Sequence, residues 1–220
     1  MEWERPFADR AEAGRELARR LMHYAVRHDV VVLALPRGGV PVACEVARVL
    51  VAPLDVLVVR KLGVPFQPEL AMGAIASGGA LVIDHGLIRD ARIGPAQFDA
   101  VLVRERAELA RREAQYRRHR MPVELTGRVA ILVDDGMATG ATLRAAALAL
   151  HARADDAPAA VVAALPVAPS GAAARLGSAV DEFVCVRTPA RFASVGQHYA
   201  DFRQTGDDEV RALLDAAQSG

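Results

Sequence analysis

The 220-residue chain lacks the residues and patterns that mark several large classes of protein. Its two cysteines, Cys44 and Cys185, are too few for a disulfide scaffold and too sparse for a zinc site. No apolar run approaches the roughly 20 residues that a membrane-spanning helix needs. The charged N-terminus has no signal-peptide core. We therefore expect a cytoplasmic protein without a membrane partner.

The chain also lacks an excess of either charge, because 27 basic residues balance 27 acidic ones. This balance argues against nucleic acid as the main partner, since nucleic-acid-binding domains are usually basic. Asparagine is absent and all basic residues but one are arginine, which is typical of a coding bias. The one lysine, Lys61, is then a candidate for a position that needs a compact ammonium charge. Chance retention of one lysine is the alternative.

The most informative stretch is the segment 129–142, VAILVDDGMATGAT. Its apolar start predicts a short buried strand with Asp134 and Asp135 at the carboxyl end. Small residues then lead into a helical pattern, so backbone N–H groups and the helix dipole can meet a phosphate. Thr139 and Thr142 add hydroxyl donors, while the acids suit sugar hydroxyls or a metal ion. An ordinary strand-to-helix turn with capping acids is the alternative.

This segment resembles the phosphoribosyl pyrophosphate (PRPP) signature of the type I phosphoribosyltransferases, in which a hydrophobic strand leads to two acids and a TG-containing loop. Many members have glycine where this chain has Ala141. The resemblance implies that the loop holds the 5-phosphate and that the acids hold ribose hydroxyls, directly or through Mg²⁺. The residues implied in PRPP binding here are Asp134, Asp135, Gly136, Met137, Ala138, Thr139, Gly140, Ala141 and Thr142.

A second strand–loop–helix unit lies nearer the N-terminus. Residues 30–35 predict a strand buried on both faces, followed by Pro36-Arg37-Gly38-Gly39 and a helix. In the resembling family this loop binds the pyrophosphate of PRPP and often contains a non-proline cis peptide. Arg37 would supply the cation, and Gly38 and Gly39 the N–H donors. A tight turn with a surface arginine is the alternative.

A third strand is predicted over residues 54–59, just before Lys61. Glycines and prolines break any long element between residues 62 and 80, although Gly78-Gly79 predicts a hairpin. Relatives carry a flexible catalytic loop here that closes over PRPP, which implies that Lys61 contacts the pyrophosphate. Glu69 is equally a candidate for metal or acceptor binding and for a solvated loop acid.

The segment 169–204 corresponds to the small hood that holds the acceptor base in relatives. Phe192, His198 and Tyr199 are the candidates to stack on or hydrogen-bond a planar acceptor. Packing of these rings against the core is the alternative.

Residues 95–120 predict a long charged helix that contains seven arginines. A solvated helix on the sheet or at a dimer edge is expected, and an RNA-binding face is the alternative.

Buried strands that alternate with helices predict one α/β domain with a mostly parallel central sheet and helices on both faces, and the resemblance implies a small C-terminal hood. Its core should span about 9–168. Strand carboxyl ends meet at one crevice in such sheets, so Arg37, Lys61 and the loop 134–142 should converge. The resemblance implies Mg²⁺-dependent transfer of the 5-phosphoribosyl group from PRPP to a nitrogenous base with release of pyrophosphate. Its catalytic residues would be Arg37, Lys61, Asp134 and Asp135.

Two points stay open at this stage. A PRPP- or nucleotide-sensing regulator that binds RNA or DNA is the alternative function on the same fold. The acceptor base is not predicted, and a homodimer is implied only by the frequency of dimers among relatives.

Overall fold

The computed structural model describes residues 5–117, 120–153 and 156–218. The helices and strands of this part of the chain are, in order, α1 (Arg10–Arg20), β1 (Val30–Ala34), α2 (Gly39–Leu50), β2 (Leu54–Val56), β3 (Val59–Val64), β4 (Gln67–Ala76), β5 (Leu81–Ile83), α3 (His85–Asp90), α4 (Pro95–Arg117), β6 (Val129–Val133), α5 (Ala141–His151), β7 (Ala160–Val167), α6 (Ala172–Leu176), β8 (Glu182–Arg187) and α7 (Asp207–Gln218).

The central sheet has five parallel strands in the order β2-β1-β6-β7-β8. Strands β1 and β6 are adjacent and level, with Val30 opposite Val129 and Ala34 opposite Val133. Every residue of both strands is buried, which explains their uninterrupted apolar runs. Because the two strands end at the same height, the loops that follow them lie side by side.

Helices cover both faces of this sheet, so the predicted α/β fold is confirmed. One hydrophobic core joins the sheet to α1, α2, α4 and α7, and the other joins it to α5 and α6. No helix of the described residues is long and apolar enough to cross a membrane.

A second, antiparallel sheet in the order β3-β4-β5 replaces two sequence-based expectations. The strand predicted over 54–59 is split, because the chain leaves the central sheet after Val56 and the N–H of Val58 bonds to Ser77 Oγ. The segment 62–80 forms paired strands instead of an irregular loop. Gly78 and Gly79 turn the chain between β4 and β5 with φ of +83° and +82°, as their sequence predicts. Closure of this segment over a ligand stays a prediction.

The C-terminal segment differs from a separate hood in one respect. Strand β8, within the segment 169–204, belongs to the central sheet beside β7. The chain after β8 then returns to the N-terminal segment, where the N–H of Phe7 bonds to the His198 carbonyl at 2.8 Å and the N–H of Ala200 bonds to the Phe7 carbonyl at 2.7 Å. Phe7 therefore pairs with the segment after β8, which is called the C-terminal cover below.

Candidate active site

The loop after β1 rests directly on the two acids that follow β6. A Cβ on Gly38 would lie 2.1 Å from Asp135 Oδ2, and a Cβ on Gly39 would lie 2.6 Å from the Val133 carbonyl oxygen. A side chain at Gly39 would meet backbone atoms and push the two loops apart, whereas one at Gly38 would displace the Asp135 carboxylate. The peptide bond between Pro36 and Arg37 is cis, as the resemblance implies. The predicted convergence of these two loops is therefore observed.

Two details of this loop differ from expectation. The N–H of Gly39 donates to the Leu35 carbonyl at 3.1 Å, so it is not a free donor for a ligand in this conformation. The Arg37 side chain extends towards the start of α7, where its Nη1 lies 3.7 Å from Asp207 Oδ1. The backbone of the loop thus borders the acid pair, while its cation borders a neighbouring cavity.

The acid pair carries two carboxylates in a poorly hydrated place. Burial, and then the charge of Asp135, raise the pKa of Asp134 well above its ordinary value. Burial also raises the pKa of Asp135, although the Arg10 guanidinium offsets part of that effect. The N–H of Asp135 donates to Asp134 Oδ1 at 2.8 Å and orients that carboxylate. A ligand that brings hydroxyl donors or a cation would relieve this electrostatic cost.

Arg10, in the first turn of α1, is a site residue that sequence reasoning missed. Its Nε and Nη2 lie 2.9 and 2.8 Å from Asp135 Oδ2, and its Nη1 donates to the Arg203 carbonyl at 2.8 Å. The guanidinium carbon also lies 4.1 Å from the ring centroid of Phe202. Arg10 therefore links the acid pair to Phe202 and Arg203 in the C-terminal cover. An arginine in the first turn of an amphipathic helix gives no signal of this role.

The loop 136–142 leads into the start of α5. Gly140 precedes the helix at φ +83° and, among the described residues, makes no side-chain cap bond, while the N–H of Ala141 donates to Thr139 Oγ1 at 3.4 Å. A helix start of this kind favours an anion. Thr139 and Thr142 are exposed beside it. Arg175 of α6 donates from Nη1 to the Ala138 carbonyl at 2.9 Å, which places a cation here that the sequence did not predict.

Met137 has a different place from its neighbours in this loop. Its side chain is buried, and its N–H donates to the Val167 carbonyl at 3.0 Å. A Cβ on Gly140 would lie 2.9 Å from Met137 Cε, so the side chain packs beneath the loop. Met137 therefore anchors the loop from below, and its contact with PRPP stays a prediction.

Lys61 lies within β3 instead of beyond a strand end, where it pairs with Ala74. Side chains alternate along a strand, and the preceding Arg60 points to α4, where it pairs with Glu105. Lys61 therefore shares the opposite face with Val59, which packs in the core built by α5. Contact of Lys61 with pyrophosphate stays a prediction.

Of the three acceptor candidates, Tyr199 has the position that the packing alternative describes, and its contact with an acceptor stays a prediction. Its side chain is buried between Phe7 and Phe202, and its hydroxyl donates to the Asp135 carbonyl at 2.6 Å. Burial raises the pKa of this hydroxyl, which keeps it a donor. Phe192 and His198 are half-buried and stack on each other with ring centroids 5.5 Å apart. Their contact with an acceptor stays a prediction.

The two carboxylates of Asp134 and Asp135 can hold Mg²⁺ only if a substrate supplies further oxygen ligands. Among the described residues, no group of three or more His, Cys, Asp or Glu side chains is placed to hold a metal ion. Asp134 and Asp135 offer two carboxylates, and Mg²⁺ commonly binds one or two carboxylates together with substrate phosphates and water. We therefore expect a magnesium ion to arrive with PRPP.

The acid pair and the loop that leads into α5 follow β6 at the edge of the sheet where the loop after β1 also lies. The family model described as the phosphoribosyl transferase domain matches residues 8–167. The chain therefore belongs to the phosphoribosyl transferase family.

Relatives agree with this assignment. Two Mycobacterium tuberculosis proteins, named "Putative phosphoribosyl transferase MT0597" and "Putative phosphoribosyl transferase Rv0571c", are 53% identical to this chain over 211 residues, or 96% of it. The match covers 47% of each, so the chain spans about half the length of these curated relatives. The solved structure of TT1426 from Thermus thermophilus is 42% identical, with a TM-score of 0.83, and the match covers 95% of this chain and 97% of that one.

Proposed function

We propose that this domain transfers the 5-phosphoribosyl group of PRPP to a nitrogenous base and releases pyrophosphate, with Mg²⁺ as cofactor. The observation that carries the proposal is the close approach of the loop after β1 to Asp135, beside the start of α5. The proposal assigns the pyrophosphate end of PRPP to the loop after β1 and its 5-phosphate end to the loop before α5. The family supports a phosphoribosyltransferase, and the acceptor, the metal and the residue roles belong to the proposal.

The chemistry asks the protein to stabilise a departing polyanion and to hold the sugar. Cleavage of the bond between ribose C1 and the pyrophosphate oxygen builds positive charge on the sugar, as in glycoside hydrolysis. Asp134 and Asp135 would accept hydrogen bonds from the ribose hydroxyls or hold Mg²⁺, whose charge would offset that of the pyrophosphate. Arg37 and Lys61 would add cations on the pyrophosphate side. In many enzymes, charge that is positioned in advance in this way supplies most of the rate enhancement.

Arg10 leaves part of the acid pair accessible in this scheme. Both of its contacts with Asp135 are made to Oδ2. Oδ1 of Asp135 and the Asp134 carboxylate can therefore serve the sugar while Arg10 keeps its ion pair. The raised pKa of Asp134 strengthens the argument, because a desolvated carboxylate gains more from a hydroxyl donor or cation than a hydrated one does.

The alternative, a regulator that binds RNA or DNA through α4, has less support. Most of the helix arginines that the structure describes are paired with carboxylates of the same chain. The pairs are Arg104 with Glu105, Arg111 and Arg112 with Glu108, and Arg117 with Asp55. This internal neutralisation lowers the positive field that a phosphate backbone would need.

A pyrophosphate-release assay tests the proposal. The full chain is incubated with PRPP, Mg²⁺ and, one at a time, purine and pyrimidine bases. We expect release that depends on PRPP, on Mg²⁺ and on one class of base, and that is lost in Asp134→Asn. Folded protein that binds PRPP but releases no pyrophosphate with any base would favour the sensing alternative. Cytoplasmic location and a homodimer remain predictions.

A further inference from the structure

We propose that a cavity between the loop after β1, α4 and the start of α7 is a second anion site, which binds a phosphate or diphosphate group through Arg37, Arg111 and Arg112. The cavity has a volume of about 330 Å³. It lies beyond the Arg37 side chain, away from the acid pair. The identification of its physiological ligand as pyrophosphate rests on the proposed function, whereas anion binding does not.

Three guanidinium groups from two elements border this cavity. Arg37 comes from the loop after β1, and Arg111 and Arg112 lie side by side in α4. Gln115, Tyr116 and Asp207 complete the polar part of its wall. A guanidinium fork matches phosphate oxygens in geometry as well as in charge, so this lining suits a phosphate group.

The charge balance of the cavity also favours an anion. Three cations face one carboxylate, Asp207, whose pKa is lowered by the hydrogen bond it accepts from Tyr116 at 2.7 Å. Glu108 accepts from Nε and Nη2 of Arg111 and from Nε of Arg112, and Nη1 of Arg111 donates to Gln115 at 3.2 Å, so an anion would compete with these bonds. Even with both acids counted, the group keeps a surplus of one positive charge. The 3.7 Å separation of Arg37 and Asp207 is too long for a strong hydrogen bond, so Arg37 can turn to a better acceptor.

The position of the cavity suits the release of pyrophosphate in the proposed reaction. Arg37 lies three residues after the end of β1, and the next residue, Gly38, lies against Asp135. One short loop therefore separates the acid pair from the three arginines. A leaving pyrophosphate that follows the Arg37 side chain would pass from the crevice to this cavity, where two further arginines receive it.

Isothermal titration of the full chain with inorganic pyrophosphate tests the inference. The variant is Arg111→Gln/Arg112→Gln. The matched control is Arg104→Gln/Arg106→Gln, which removes the same charge from the same helix outside the cavity. We expect the first variant to bind pyrophosphate at least about tenfold more weakly, or about 1.4 kcal/mol, and the control to stay within about twofold of the unaltered protein. Asp207→Asn should bind about threefold more tightly, because it removes the one carboxylate that faces the ligand.

Equal affinity in the two double variants would overturn the inference, because pyrophosphate would then bind elsewhere. So would a failure of the unaltered chain to bind pyrophosphate. Neither result touches the proposed transferase activity, which is measured separately by PRPP-dependent release. If the chain is an active transferase and Arg111→Gln/Arg112→Gln leaves its pyrophosphate affinity unchanged, this inference is refuted and the proposed function is not.

Discussion

Substitution of the two adjacent acids by asparagine should change stability in opposite directions. Asp134 carries its charge without a described cation of its own, next to Asp135. Two like charges roughly 5 Å apart repel by about 3 kcal/mol at an effective dielectric of about 20, and Arg10 offsets part of this. The amide oxygen of Asp134→Asn can still accept from the N–H of Asp135. We therefore expect a gain of about 1–2 kcal/mol in the free energy of unfolding, typical of relief at a functional site.

Asp135→Asn should instead destabilise the protein. Arg10 is only 11% exposed in its side chain and has its carboxylate partner in Asp135. The amide leaves that buried guanidinium without its hydrogen-bonded carboxylate, which costs about 1–3 kcal/mol. For a chain of this size, each kcal/mol moves Tm by roughly 2–4 °C. The two variants should therefore melt on opposite sides of the unaltered protein.

Thermal unfolding followed by circular dichroism between pH 4 and 8 is the assay. A raised pKa in the folded state means that the folded protein binds the extra proton, so the Asp134 carboxyl favours folding most below its unfolded pKa of about 3.9. That contribution is lost as pH rises towards the folded pKa. The advantage of Asp134→Asn should thus be small near pH 4 and grow as pH rises. A lower Tm for Asp134→Asn, or an advantage independent of pH, would refute the electrostatic argument.

Three further variants test other contacts. Gly38→Ala should weaken PRPP binding at least about tenfold, because its Cβ would lie 2.1 Å from Asp135 Oδ2. Gly206→Ala is the control, and it should leave binding unchanged because no atom lies within 4 Å of the added carbon. Equal titration curves for the two variants would contradict this prediction. Arg175→Gln should raise the KM for PRPP about three- to tenfold with little change in kcat, because the variant removes a cation at the phosphate loop. An unchanged KM in steady-state assays would exclude a role of Arg175 in PRPP binding. Tyr199→Phe should lower the free energy of unfolding by about 1 kcal/mol, because it removes the hydrogen bond to the Asp135 carbonyl and leaves a buried acceptor unpaired. Urea unfolding measures this change, and an unchanged midpoint would show that the bond is not stabilising.

The elements nearest the acid pair could be predicted because their signals are local. Strands β1 and β6 are unbroken apolar runs that end in glycine-containing loops, and their observed bounds agree with the predicted ones within a residue or two. The helix after each loop and the turn at Gly78-Gly79 follow from the same kind of local pattern. Adjacent parallel strands then bring the two loops together without any further information from the sequence.

What escaped prediction depends on contacts between distant parts of the chain. Arg10 meets Asp135 across 125 residues, and Arg175 meets Ala138 across 37. Neither arginine differs in its neighbourhood from the many solvated ones. The split between β2 and β3 is also a tertiary effect, since the apolar run continues while the chain moves to another sheet. The structural role of Tyr199 could not be predicted, because its burial against Phe7 arises only when the two ends of the chain meet.

Titration of the full chain with PRPP in the presence of Mg²⁺ tests the central claim most directly, with Asp134→Asn as the partner variant. We predict saturable binding of one PRPP per chain that weakens at least about a hundredfold in the variant, while its Tm stays at or above that of the unaltered protein. Equal PRPP affinity in a folded Asp134→Asn variant would contradict the claim that the acid pair holds the sugar.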